Sequence, residues 1–136
     1  MAGTSGVTYA KTAGTCDTLY FNDSGTSGDI TLSSDIFNYK LACVHWRVPS
    51  ISTENDYFFY TDFYKNQGRF NLMMTWFMNN NVHIYSMSYY IPKDGLSLKI
   101  DQVPWHVEYA NSSTFSTFLE QTFDLTLINR VYGINI

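Results

Sequence analysis

Apolar and polar residues alternate with a period of two along much of this chain, which is the pattern of β-strands with one buried face. The alternation is most regular from Phe70 to Met78, and we predict a core strand there. Asparagine tolerates the left-handed backbone of tight turns. Asn79 to Asn81 therefore predicts a hairpin that leads into a returning strand over Val82 to Ile91.

The first half of the chain predicts four further extended segments. Tyr39 to Val48 is apolar at odd and even positions alike, which is typical of a central strand covered on both faces. Pro49 ends this strand because proline cannot donate to the sheet. Two short strands are predicted at Thr18 to Phe21 and Asp29 to Ser33, and an extended aromatic segment at Tyr57 to Tyr64.

The second half adds alternating segments and one candidate helix. A turn at Pro92 to Gly95 precedes the first alternating segment, in which the apolar residues are Leu96, Leu98 and Ile100. The residues predicted to form another inward face are Val103, Trp105, Val107 and Tyr109. Ser113 to Gln121 predicts one short helix with Ser113 as its cap. The whole pattern predicts an all-β fold, a single-domain antiparallel β-sandwich that is jelly-roll-like, with at most one short helix.

The length of 136 residues fits a single domain with a hydrophobic core. The N-terminal segment is rich in small and polar residues, and we expect residues 1–16 to form a flexible or partner-bound arm. The sandwich domain is then predicted over residues 17–136.

Composition argues against a nucleic-acid partner. The net charge is -4 with 8 basic residues, whereas a nucleic-acid-binding protein needs a basic face to neutralise phosphates. Charged residues make up only 15% of the chain, compared with roughly 25% in an average domain. Aromatic residues reach 18%, mainly as tyrosine and phenylalanine, which favours a surface that meets another polar or protein surface.

No apolar run reaches the roughly 18 residues of a membrane span, and the N-terminus lacks the basic and apolar parts of a secretory signal. We therefore expect that the protein does not insert into a membrane and that it is made in a reducing compartment. A disulfide between Cys16 and Cys43 would be uncommon there, and Cys43 is interpreted as a small core residue.

The histidines do not predict a metal site. His45, His83 and His106 fall on separate predicted strands, without the HxH or HxxxH spacing that places two ligands together. Each is interpreted as a half-buried imidazole that bonds to a neighbouring strand. We predict no metal and no cofactor.

The carboxylates do not predict a catalytic site either. A glycosidase needs two carboxylates at a defined distance, and the candidates are Asp101, Glu108 and Glu120. Nothing in their spacing holds them together, and the chain contains no nucleophile or phosphate-binding motif. We predict that the protein is not an enzyme and has no catalytic residues.

The loop from Asn22 to Gly28 has the composition of a ligand-binding loop, with two glycines among small polar residues. A calcium loop of the EF-hand type needs a closing glutamate, and a phosphate loop leads into a helix. Here no closing glutamate follows, and the loop leads into a predicted strand at Asp29 to Ser33. We interpret it as a turn at the entry to the sandwich.

Two segments resemble a known protein family. Leu19 to Ser33, followed by Asn38 to Lys40, is similar to a segment that reads approximately LYxNxSGTxGxITLSxxxxNYxxI in tail and baseplate proteins of phages that infect Gram-positive bacteria. Ile128 to Ile134 is similar to the closing strand IxRVYGI of such domains. The two matches bracket nearly the whole domain, but Ser50 to Gln121 matches no part of these proteins.

The resemblance implies a phage virion structural protein, made in the host cytoplasm and incorporated into the virion. We expect a tail-fibre, tail-tip or baseplate appendage that acts in host attachment by recognising cell-wall glycan. The resemblance further implies a homotrimer and supplies no catalytic residues. Because the chain starts at Met1 without a shaft segment, we expect a small stand-alone protein that docks on other virion proteins through Met1 to Cys16.

Aromatic side chains suit stacking on sugar faces, and the predicted ligand-binding residues are Tyr57, Tyr60, Trp105 and Tyr109. Trp76, by contrast, is assigned to core packing. Two other functions stay open: a capsid or tail decoration or adaptor protein that binds no ligand, and a cell-wall polysaccharide depolymerase.

Overall fold

The computed structural model describes residues 14–66, 68–78, 81–110, 118–122 and 126–136. These residues form nine β-strands and three short 3₁₀ turns, and no α-helix occurs among them. The strands are β1 (Cys16–Thr26), β2 (Ile30–Thr31), β3 (Leu41–Val48), β4 (Thr53–Tyr60), β5 (Arg69–Met78), β6 (Asn81–Tyr90), β7 (Ser97–Ala110), β8 (Phe118–Thr122) and β9 (Leu127–Ile134). The 3₁₀ turns are Ile36–Asn38, Pro49–Ile51 and Thr61–Tyr64.

The strands make two antiparallel sheets, so the predicted all-β sandwich is confirmed. The first sheet has the order β1-β9-β3-β4, with the last strand of the chain between β1 and β3. The second sheet has the order β2-β7-β6-β5, and β8 also pairs with β7. Consecutive strands from β5 to β8 are therefore neighbours, which is a meander of hairpins.

The core lies between the two sheets. The first sheet contributes the even positions of β3, namely Ala42, Val44, Trp46 and Val48. The second sheet contributes buried residues of β5 and β6, namely Phe70, Leu72, Tyr85, Met87 and Tyr89. The ring of Phe59 stacks on Phe70 with centroids 5.2 Å apart, and Tyr64 meets Phe59 edge-on at 5.0 Å. Burying each such side chain stabilises the fold by about 1.5–3 kcal/mol.

The Asn22–Gly28 loop belongs to the irregular end of β1, where the register against β9 shifts between Phe21 and Thr26. The Asn129 side-chain amide donates to the carbonyls of Asn22 and Asp23, at 3.2 and 3.1 Å. Gly25 has a φ of 84°, and a Cβ there would lie 2.6 Å from the Cβ of Leu127. Gly25 therefore allows the close approach of β1 to β9.

The strongest predicted strands are found close to their predicted bounds. β3 is central in the first sheet and ends at Pro49, as expected. β5 and β6 pair without a register shift, from Arg69 opposite Tyr90 to Met78 opposite Asn81, which confirms the returning strand. Asn79 and Asn80 lie outside the described residues. Trp76 is 38% exposed, so its assignment to the core is wrong.

Three predicted elements differ from the structure. Residues 118–122 are a strand, so the helix predicted over Ser113 to Gln121 is wrong at its end, and residues 111–117 lie outside the described part of the chain. The segment from Tyr57 is extended only to Tyr60, because Thr61 then donates its backbone N–H to the Lys40 carbonyl at 3.0 Å and begins a 3₁₀ turn.

The third difference concerns β7, which is one continuous strand. Val103 is 55% exposed, so it does not belong to an inward face. Trp105, Val107 and Tyr109 lie on the face of β7 opposite to Leu98. They sit at odd separations from it, and the two register shifts against β6 each add one residue to β7, so together they leave the alternation of faces unchanged. This face does not join the core cluster that contains Leu98.

Candidate functional site

The structure divides the four predicted ligand-binding residues between the two sheets. Tyr57 and Tyr60 lie on β4 of the first sheet, whereas Trp105 and Tyr109 lie on β7 of the second. Within β4, Tyr57 and Tyr60 point to opposite faces because successive side chains alternate. The four residues therefore do not form one site.

Tyr57 packs against the core. Its ring stacks on Phe59 and Phe70, with centroids 5.5 and 5.7 Å away. Its hydroxyl and that of Tyr64 lie 2.9 Å apart in a hydrogen bond. Burial and this bond raise the pKa of Tyr64, in that order of importance. Tyr57 thus positions the Thr61–Tyr64 turn.

Tyr60 lies at the surface beside two more exposed aromatic residues. The exposed fractions are 53% for Tyr60, 58% for Phe58 and 77% for Phe63. Tyr60 and Phe63 line a groove of about 350 Å³ whose other walls are Lys40 and Asp62. We call this the aromatic groove.

The local sequence explains why these aromatic side chains are exposed. Thr61 is fully buried, and its hydroxyl donates to the Tyr39 carbonyl. Tyr64, one 3₁₀ turn later, folds back onto Phe59. Residues three apart share a side of such a turn, so the intervening Asp62 and Phe63 point to solvent. The aromatic groove is therefore built on an anchored turn.

Sequence reasoning missed Phe58 and Phe63. The run Tyr57-Phe58-Phe59-Tyr60 places aromatic residues on both faces of a single strand, and one of these faces had to lie away from the core. The four consecutive aromatic residues thus indicate an exposed aromatic pair at positions 58 and 60. They do not identify Phe63, whose exposure depends on the 3₁₀ turn.

Trp105 and Tyr109 are both half-buried. The Trp105 indole N–H is buried and has no hydrogen-bond partner among the residues that the structure describes. This placement offers less ring area to a ligand than Tyr60 does. The binding role of these two residues stays a prediction.

A charged cluster occupies the outer face of the first sheet. The two ring nitrogens of His45 lie 2.8 Å from an Asp56 oxygen and 3.0 Å from a Glu54 oxygen. Both nitrogens must donate, which favours the protonated ring. Partial burial, the largest single influence, acts to lower the pKa of His45, but the bonds to Asp56 and Glu54 together raise it. These charges are satisfied within the cluster and need no ligand.

Cys43 lies beside this cluster. Its thiol is 3.7 Å from the Asp56 carboxylate. Burial, followed by the Asp56 charge, raises the pKa of Cys43 to about 12, which leaves the thiol protonated and unreactive at neutral pH. Cys43 and Cys16 are both free.

The second sheet brings two of the three histidines together. His83 Nδ1 lies 2.8 Å from His106 Nε2, and both rings are buried. Glu108 approaches His83 at 3.9 Å and accepts a bond from the Asn81 amide at 2.6 Å. The expectation that each imidazole bonds to a neighbouring strand holds for this pair and for His45, but His83 and His106 are buried and not half-buried as predicted. Among the described residues, no group of three or more ligating side chains could hold a metal ion.

The three candidate carboxylates are only partly brought together. Glu108 and Glu120 are directly opposite in the β7–β8 register. Asp101 lies near the start of β7, where it accepts from the Ser88 hydroxyl at 3.2 Å and pairs with Arg69 at 3.3 Å. Asp101 thus has a structural role. The pairing of Glu108 with Glu120 could not be predicted from their spacing in the sequence.

A scan against protein-family models, a search of curated proteins and a search of solved structures each found no match to this chain. Among the described residues, no helix is long and apolar enough to span a membrane.

Proposed function

We propose that this protein is a phage virion structural protein, an appendage of the tail fibre, tail tip or baseplate that attaches to the host cell wall through the aromatic groove. The observation that carries the proposal is the exposure of Tyr60 and Phe63 on an anchored turn, beside the polar rim of Lys40 and Asp62. Flat ring faces with adjacent polar groups are suited to a saccharide, which presents both apolar C–H and hydroxyl groups.

Support for a virion role comes from the resemblance of two segments to phage tail and baseplate proteins. Those segments build most of β1, the entry to β3, and β9, which are neighbours in the first sheet, and also β2, which lies in the second sheet. Tyr60, Asp62 and Phe63 of the aromatic groove lie in the part of the chain that the resemblance does not cover, whereas Lys40 belongs to a matched segment. A homotrimer, and docking on other virion proteins through residues 1–16, belong to the same proposal.

A decoration or adaptor protein is the second candidate function. The outer face of the first sheet also exposes Phe21, and Phe58 lines a neighbouring groove together with Tyr60 and Phe63. Exposed apolar residues spread over a sheet face suit contact with another protein. This function needs no glycan.

Binding to cell walls tests the attachment proposal. Purified protein is incubated with wall polysaccharide from the Gram-positive host, and the bound fraction is measured over a concentration series. We expect Tyr60→Ala and Phe63→Ala each to weaken binding about tenfold, equivalent to about 1.4 kcal/mol, because each removes a ring face.

The matched control is Phe77→Ala, which removes an aromatic side chain that is 64% exposed on β5 of the other sheet. We expect it to bind like the parent protein, and circular dichroism checks that all variants are folded. Wall binding that persists in both groove variants would contradict the proposed site. No binding by the parent protein would favour the adaptor role.

A further inference from the structure

A second groove lies where the start of β5 meets the end of β6. It has a volume of about 520 Å³, and its walls include Lys65, Arg69, Tyr90 and Lys93. We call it the basic groove. It shares no lining residue with the aromatic groove. Lys65 and Lys93 also line an adjoining groove of about 370 Å³, which extends the accessible surface.

The backbone that forms this groove is held in place. The Gly68 N–H donates to the Tyr64 carbonyl at 3.1 Å, and the Gly68 carbonyl accepts from the Ile91 N–H at 2.8 Å. A Cβ on Gly68 would lie 2.6 Å from the Ile91 carbonyl oxygen, so only glycine allows this approach. The groove walls are therefore preformed, which lowers the entropy cost of binding.

The charge of the groove differs from that of the whole protein. Its lining holds three cations, Lys65, Arg69 and Lys93, and one carboxylate, Asp101. The chain as a whole has 8 basic residues and a net charge of -4. Three of those basic residues thus converge on one concave surface of an acidic protein. With three cations and one carboxylate the lining has a net positive charge, and a positively charged cleft attracts anionic ligands.

The cations remain accessible to a ligand. Lys65 pairs with Asp62 at 3.5 Å, and Arg69 pairs with Asp101 at 3.3 Å, but the side chains of Lys65 and Arg69 are largely exposed. Such surface pairs contribute only about 0–1 kcal/mol, so an incoming anion can replace them. Asp101 also accepts from the Ser88 hydroxyl, which holds its carboxylate at the wall.

We propose that the basic groove binds a phosphate or carboxylate group carried on a sugar-sized polar ligand. The volume falls within the range of roughly 300–1,000 Å³ typical of small-molecule sites and exceeds what a bare ion needs. Arg69 presents a planar fork that matches either anion, and the exposed Tyr90 adds a ring face and a hydroxyl. This inference goes beyond the proposed function, because it concerns a separate groove and a charged ligand.

Titration with three monosaccharides tests the proposal. Glucose 6-phosphate and glucuronate supply the two anions, and glucose is the neutral control, with amide chemical shifts as the readout. We expect saturable shifts with at least one anionic sugar, none with glucose, and weaker binding as salt rises. Binding of only one anionic sugar identifies the preferred anion.

Charge-removing variants locate the site. We expect Lys93→Gln and Arg69→Gln each to weaken binding at least about fivefold, and Lys93→Arg, which keeps the charge, to retain it. Arg130→Gln is the control, because Arg130 lies on β9 of the first sheet and does not line the basic groove. The proposal is overturned if neither anionic sugar binds, if glucose binds equally well, or if Lys93→Gln and Arg69→Gln leave the affinity unchanged.

Discussion

At the scale of single residues, His45 links two strands of the first sheet through charge. It lies on β3, and both of its carboxylate partners lie on β4, which is the outermost strand of that sheet. The folded protein therefore binds the His45 proton more tightly than the unfolded chain does, where the pKa is near 6.5. Such a group stabilises the fold fully below the unfolded pKa and loses that contribution as pH rises through the folded pKa.

We expect His45→Gln to destabilise the protein more at pH 6 than at pH 8.5. The cluster is largely exposed to solvent, which screens the charges, so the difference at pH 6 should be about 0.5 kcal/mol. Urea unfolding at the two pH values measures it. Lys99→Gln is the control: it removes a surface charge that pairs with Asp29, away from His45, and its effect should not change with pH. A larger effect of His45→Gln at pH 8.5 would contradict this account.

At this scale, the sequence does not show which side chains of other strands contact a given residue, and this limited what could be predicted. The period-two pattern placed His83 and His106 on separate strands, but their 2.8 Å contact depends on the β6–β7 register, which contains two shifts further along the strands. Similarly, the aromatic composition pointed to Tyr60. It could not show that the Tyr57 ring stacks on Phe70, which makes that ring face unavailable to a ligand.

At the scale of elements, the packing of β9 against the entry to β3 depends on one glycine. A Cβ on Gly133 would lie 2.5 Å from ring atoms of Tyr39, which is almost fully buried. The Tyr39 hydroxyl also donates to Asp17 on β1 at 2.6 Å. Tyr39 and Gly133 belong to the two segments that resemble phage tail proteins, so the resemblance includes a pair of residues in contact.

We expect Gly133→Ala to destabilise the fold by about 1–3 kcal/mol, because the added methyl group overpacks a buried ring. Thermal or urea unfolding measures the change. Gly28→Ala is the matched control: a Cβ there meets no atom within 4 Å, and its effect should stay within about 0.5 kcal/mol. Equal stability of the two variants would show that the Tyr39 ring does not depend on Gly133.

Elements were predicted best where burial on one face is regular. β5 and β6 pair in one register over their whole length, and burial on β5 alternates from Arg69 to Met73, whereas Trp76 further along is exposed. The 3₁₀ turn at Thr61–Tyr64 could not be read from alternation, because a tertiary hydrogen bond to Lys40 ends β4. Likewise, residues 118–122 are held as a strand by pairing with β7, although local residue preferences favoured a helix.

At the scale of the whole molecule, the Thr61–Tyr64 turn connects the two grooves: Asp62 and Phe63 of the turn line the aromatic groove, and Lys65, which follows the turn, lines the basic groove. The sandwich supplies a rigid base for both grooves, since the turn is anchored through Thr61 and Tyr64. Surface loops on a rigid scaffold are the usual place for binding residues. The fold class was predictable from the sequence, but this arrangement depends on how β4 and β5 cross between the sheets.

The position of the protein in the intact virion tests the attachment role most directly. Virions of the phage that, on our proposal, encodes the chain are labelled with a gold-tagged antibody against the purified protein and imaged by electron microscopy, with virions lacking the protein as the control. We predict label at the distal end of the tail. Label confined to the capsid, or no label on virions that are otherwise complete, would contradict the account.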